Sequence, residues 1–149
     1  MADAKSEIRT LIEERIGAIR RKDAAGAVAC LAADVVAFEM VPPLELPPGA
    51  ARDVEATAAW LAGFEEVDVE LRDLAIEADG SVGFARALHH LKGTRVGGHK
   101  VSLWMRSTLC FRREGGEWKI AHSHTSVPFY PGPEMKAAVD LGPYASLSD

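Results

Sequence analysis

A chain of 149 residues, 48% hydrophobic and 26% charged, has the size and composition of one ordinary globular domain rather than of a disordered or membrane protein. Its formal net charge of -5, with no basic stripe interleaved with aromatics, argues against a nucleic-acid partner. No apolar run approaches a membrane span and the polar opening MADAKSE lacks the core of a signal peptide, so no membrane partner and a cytoplasmic address are expected.

Ile8, Leu11, Ile12, Ile16 and Ile19 recur at helical spacing. Ser6 is available as a cap, and Glu7, Glu13, Glu14 and Arg15 surround the polar side of this first helix. Asp23 then caps a short helix expected to run through Ala33, with Val28 and Leu31 inward, and Val35 to Met40 follows as a strand. Pro42, Pro43, Pro47, Pro48 and Gly49 force a loop, after which Val54, Ala58 and Leu61 mark a third helix over Arg52 to Phe64.

From Val67 the period changes to two, through Val69 and Leu71, with Asp79-Gly80 as a hairpin turn. Strands are expected near 81–92, 99–113 and 117–127, the last two joined at Glu114-Gly115-Gly116-Glu117, giving an antiparallel meander. Helices first and hairpins second describe an α+β domain with its helices on one face of the sheet. The expected organisation is one domain over 1–149, with a core at 5–128 and a proline-rich tail at 129–149 in which 134–141 makes a short helix or lies on a partner subunit. Cys30 and Cys110 lack metal-like spacing and read as small core residues.

This order, with Trp118, His122, His124 and Ser126 after the glycine turn, resembles the SnoaL-like, ketosteroid-isomerase-like branch of the nuclear transport factor 2 superfamily over residues 5–128. The resemblance implies a cone-shaped fold with a ligand cavity inside and a homodimer through the outer sheet face. That cone hosts isomerases, cyclases, dehydratases and non-catalytic modules, so it does not name a reaction. Where ketosteroid isomerases carry a carboxylate base, the chain has Glu39. Where they carry an oxyanion-binding tyrosine and a protonated aspartic acid, it has Arg15 and Ser107.

Over Ser81 to Gly93 and Thr108 to Ser126 the chain is also similar to the association domain of calcium/calmodulin-dependent kinase II. That similarity places Arg86 where those domains keep a cavity arginine that binds carboxylates. Alternation then sets Val82, Phe84, Leu88 and His90 on the face of Arg86, and His89 on the other. An enclosed guanidinium must meet a carboxylate or an anion, since an unpaired buried charge costs about several kcal/mol. Paired with Arg86, Glu39 is a weak base; unpaired, Glu39 is free for general-base chemistry while Arg86 clamps an anionic ligand. The opposite register, with Arg86 outward over the dimer face and Glu39 solvated beside the proline loop, stays open.

On the strand from His99 to Arg112, the odd positions Val101, Leu103, Met105, Leu109 and Phe111 make an apolar wall interrupted by Ser107, a hydrogen-bond donor to ligand or to its own backbone. A His-x-His pair such as His122 and His124 needs a third ligand to hold zinc; none has suggestive local spacing, though His90 or His99 could converge in three dimensions. The resemblance turns Ala121, Ser123 and Thr125 toward the cavity and both histidines outward, so no metal is expected. Trp60 and Trp104 read as packing groups and Trp118 as the anchor of its hairpin. No phosphate loop or nucleophile motif is present, and no cofactor is expected. The functional expectation is a cofactor-free protein acting on a small organic molecule with an anionic or carbonyl group. Glu39 would be its base, and Arg86, His90, Ser107 and Thr125 its ligand contacts. The alternative is a non-catalytic oligomerisation or ligand-sensing module.

Overall fold

The computed structural model describes residues 3–144. Helix α1 spans Ala4–Arg20 and buries Ile8, Ile12 and Ala18; its cap is Asp3, whose carboxylate accepts from the Ser6 backbone N–H at 2.8 Å, rather than the Ser6 hydroxyl. Helix α2 is only Ala24–Val28, capped by Asp23, which accepts from Gly26 N–H at 3.0 Å. The second helix thus ends well short of Ala33, because Leu31 and Ala32 are already buried in strand β1, Leu31–Phe38. Parallel pairing of β1 with the last strand sets Leu31 opposite Ile120, and Ile120 N–H donates to Cys30 O at 2.8 Å, so sheet contacts override local helix propensity.

After the proline loop and a short 3-10 turn at Ala50–Arg52, helix α3 runs Val54–Ala62 with Asp53 as its cap. Strands β2 (Phe64–Asp79), β3 (Val82–Arg95), β4 (Lys100–Glu114) and β5 (Glu117–Ser126) form the expected meander, and the sheet order is β1-β5-β4-β3-β2. Irregular register at Arg72/Ala75 and Cys110/Phe111 bends the sheet into an unclosed curve. This is the α+β cone architecture.

One face of the sheet is covered by helices. At one end Ile8 and Ile12 of α1 pack with Val35, Ile76, Ala85, Phe111 and Ile120; at the other Ala24 and Leu61 meet Phe64 and Val67. No helix among the described residues is long and apolar enough to cross a membrane. The described part of the tail holds no helix: Phe129 bridges Ala137, and Ala138 is buried and donates to Pro128 O at 2.8 Å. Residues 145–149 of the expected tail lie outside the described residues.

Candidate functional site

The strand register orders the helix-covered face into rows. Ser123, Leu109, Ala85 and Ile76 form one row; Thr125, Ser107 and Ala87 the next; Met105, His89 and Leu71 a third. Both ends are sealed by apolar packing, at Ala85, Phe111 and Ile120 on one side and Val67 and Val69 on the other. In the middle, Ala87, His89, Ser107, Leu109, Ser123 and Thr125 are only half-buried. The helices leave that stretch of the face incompletely covered, and it is where the hydroxyls and the imidazole sit.

Above it, α1 presents Arg15, half-buried, whose Nε donates to Ala27 O at 3.3 Å. Burial above all, then the positive charge of Arg15 and then His90, together push the His89 imidazole down to about 4. His89 is therefore neutral at physiological pH, with one N–H donor and one acceptor nitrogen. Burial also raises the Cys30 thiol, against the opposing field of Arg15, which makes it an inert packing group.

Ser107 and Thr125 face each other on this side, directly paired across β4 and β5. Glu39 lies one residue beyond β1 and is exposed. Continuing the pairing of Ala37 with Ser123 and Phe38 with His124 sets Glu39 level with Thr125, at the rim of the same face. Arg86 is a correction. It is exposed on the outer face, opposite Thr108, beside a Phe84 that is 45% exposed. The enclosed guanidinium and its pairing with Glu39 are therefore not formed. His90 shares that displacement: its ring stacks on Trp104 on the outer face, away from Ser107 and Thr125.

His122 and His124 face outward as the resemblance implied, both edge-on to Phe38, with His122 Nδ1 2.6 Å from Val36 O. No cluster of three metal-ligating side chains occurs among the described residues. A groove of about 380 Å³ lies on the flank of α1, bounded by Glu7, Glu14, Cys30, Trp118 and Lys119. It touches Arg15 but none of Ser107, Thr125 or His89.

The model of the SnoaL-like domain matches residues 8–130. The chain belongs to the SnoaL-like family. A nuclear transport factor 2-like protein of unknown function from Pseudomonas putida KT2440 is 32% identical over 94% of this chain and 96% of its own, with a TM-score of 0.81. A protein provisionally named a dehydratase, from Streptomyces avermitilis, is 16% identical over 81% of this chain and 93% of its own, with a TM-score of 0.71. One provisionally named a calcium/calmodulin-dependent protein kinase II association domain, from Xanthomonas campestris, is 15% identical over 85% and 88%, again with a TM-score of 0.71. The last two show the shared fold alone. No curated protein matches the chain.

Sequence reasoning missed His89 as a site residue in this SnoaL-like domain. The signal was available: Thr94 pairs with Lys100 around the β3–β4 turn, so odd positions face odd positions, and a β4 whose odd face is core forces His89 inward opposite Met105.

Proposed function

We propose that this SnoaL-like protein binds a small organic molecule carrying a carboxylate or carbonyl oxygen, without a cofactor, at the half-open middle of its helix-covered face. The observation that carries the reading is a neutral His89, sensing the charge of Arg15, on the same face as the paired hydroxyls of Ser107 and Thr125, within a face otherwise closed by hydrocarbon. Arg15 supplies the positive charge for the ligand oxygen. His89, Ser107 and Thr125 supply hydrogen bonds that fix its orientation. With a carbonyl ligand, Glu39 at the rim is the proton acceptor for a C–H next to that carbonyl, and Arg15 stabilises the resulting enolate oxygen. Isomerisation and dehydration both begin with such a step.

A thermal-shift screen of small carboxylates and ketones on the wild type and Arg15→Gln tests the binding. Stabilisation of the wild type that vanishes in the variant supports the site. Equal shifts in both, with the variant still folded by circular dichroism, remove Arg15 from it.

A second reading, assembly of two copies across the outer face, has its own support. Val82 and Phe84 are 59% and 45% exposed there, and the tail exposes Phe129, Met135 and Val139. Sedimentation equilibrium of the wild type and Phe84→Glu tests it, with a concentration-dependent dimer expected only in the wild type. A monomeric wild type throughout the micromolar range rejects it.

A further inference from the structure

Across the outer face, three side chains from adjacent strands line up at one end of the sheet. His90 Nε2 lies 2.8 Å from Ser102 Oγ, and His90 Nδ1 lies 3.6 Å from Glu70 Oε2. Glu70 and His90 are direct cross-strand partners of β2 and β3, and Ser102 stands diagonal to His90 on β4. We infer that Ser102, His90 and Glu70 form a nucleophilic site of their own, which takes activated esters of small carboxylic acids through an acyl-serine. Neither the family match nor the helix-covered site accounts for this constellation.

The geometry fixes each role. Trp104 stacks flat on His90, with ring centroids 4.3 Å apart and planes 7° from parallel, which keeps the imidazole from turning out of the line between Glu70 and Ser102. Arg72 Nε holds the other oxygen of Glu70 at 3.2 Å, so the carboxylate is clamped with its second oxygen toward His90. The hydrogen bond from Arg72 keeps the Glu70 carboxyl below the usual range and hence ionised at neutral pH, as an orienting anion must be. With the imidazole proton on Nδ1, facing Glu70, the Nε2 lone pair accepts the hydroxyl proton of Ser102. Ser102 is exposed and open to a substrate, and Lys92, its direct cross-strand partner, sets a cation beside it for the oxygen that becomes negative.

The step balances within the named groups. Ser102 Oγ adds to the acyl carbon while its proton passes to His90 Nε2. The bond from that carbon to the leaving oxygen breaks, and the leaving alcohol takes the proton from Nε2. Water then adds to the acyl carbon with its proton going to Nε2, the bond to Oγ breaks, and Oγ recovers the proton as the acid departs. His90 lies six positions along β3 from Phe84, roughly 20 Å at strand rise, so the outer apolar patch and this site are separate regions of the face.

The test uses p-nitrophenyl acetate on the wild type, Ser102→Ala, His90→Gln and Glu70→Gln, with peptide mass mapping of the acetylated protein. The wild type is expected to release nitrophenol about a hundredfold faster than Ser102→Ala, within the range of general-base assistance, and to carry acetyl on Ser102. His90→Gln should match Ser102→Ala, while Glu70→Gln should lower kcat by less and leave KM in place. Lys5→Gln, an exposed side chain of α1 outside both sites, should leave the rate untouched. Hydrolysis no faster than buffer, acetyl found only on lysines, or a rate unchanged in Ser102→Ala each overturns the inference. All three residues sit on the sheet surface, and matching melting curves exclude misfolding as the cause of a lost rate.

Discussion

Arg15 and His89 approach from opposite layers, the guanidinium from α1 and the imidazole from β3, and the cation adds to burial in keeping the imidazole neutral. The folded-state value, about 4, lies below the ordinary 6.5 expected of the unfolded chain. Below pH 6.5 the unfolded chain therefore takes up a proton that the folded chain refuses, and folding stability falls as pH drops toward 4. Above 6.5 both states are neutral and the group contributes nothing to the pH dependence. The full loss is roughly 3 kcal/mol. Urea unfolding at pH 7 and pH 4.5 should show it in the wild type, and His89→Gln should abolish that component of the acid destabilisation.

The two causes separate by substitution. Arg15→Gln removes the charge and leaves most of the burial, so the His89 imidazole should titrate higher than in the wild type yet stay below the ordinary histidine value, because burial is the larger cause. An NMR titration of the imidazole protons reads this directly. An unchanged midpoint in Arg15→Gln means that the two groups do not sense each other.

Gly93 on β3 stands directly opposite Val67 on β2. A Cβ there would lie 2.4 Å from Glu66 O and 3.1 Å from Val67 Cα, and both are backbone atoms with no flexible side chain to give way. Gly93→Ala should destabilise by about 3 kcal/mol, the range of overpacking that forces a backbone shift. Gly142→Ala, with nothing within 4 Å of the added carbon, should stay within about 0.5 kcal/mol of the wild type in the same chemical melts.

The strands were legible because their signals are local: alternation, Asp79-Gly80 and the paired glycines at Gly115 and Gly116 each mark a boundary without knowledge of the rest of the fold. The facing of β3 was not. Its even positions hold the bulkier Val82, Phe84 and Leu88, and the apolar-inside rule turns them to the core. The fold does the reverse, setting the smaller Ala85 and Ala87 on the helix-covered face and leaving Phe84 outside. Period two defines two faces and is silent on which one the helices cover. On β5 the irregular register next to Phe111 lets Trp118 and Ile120 share the covered face with Ser123 and Thr125. Ser107 was readable as the one polar break in the apolar odd positions of β4 from Val101 to Phe111, and Thr125 through the family resemblance.

Glu39 is separable from every binding residue because its amide analogue keeps shape and hydrogen-bonding reach while losing the ability to take a proton. Exposed at the end of β1 and level with Thr125, it has no packing role whose loss would unfold the chain. For a carbonyl compound that the wild type turns over, Glu39→Gln should therefore lower kcat by about 10²–10⁴-fold, the contribution of a positioned base, and leave KM nearly unchanged. Arg15→Gln, which loses the charge that holds the oxygen in both ground and transition state, should raise KM as well as lower kcat. Steady-state kinetics of the two variants side by side distinguish the roles: unimpaired turnover in Glu39→Gln assigns proton abstraction elsewhere, and a KM effect without a kcat effect makes Glu39 a binding group.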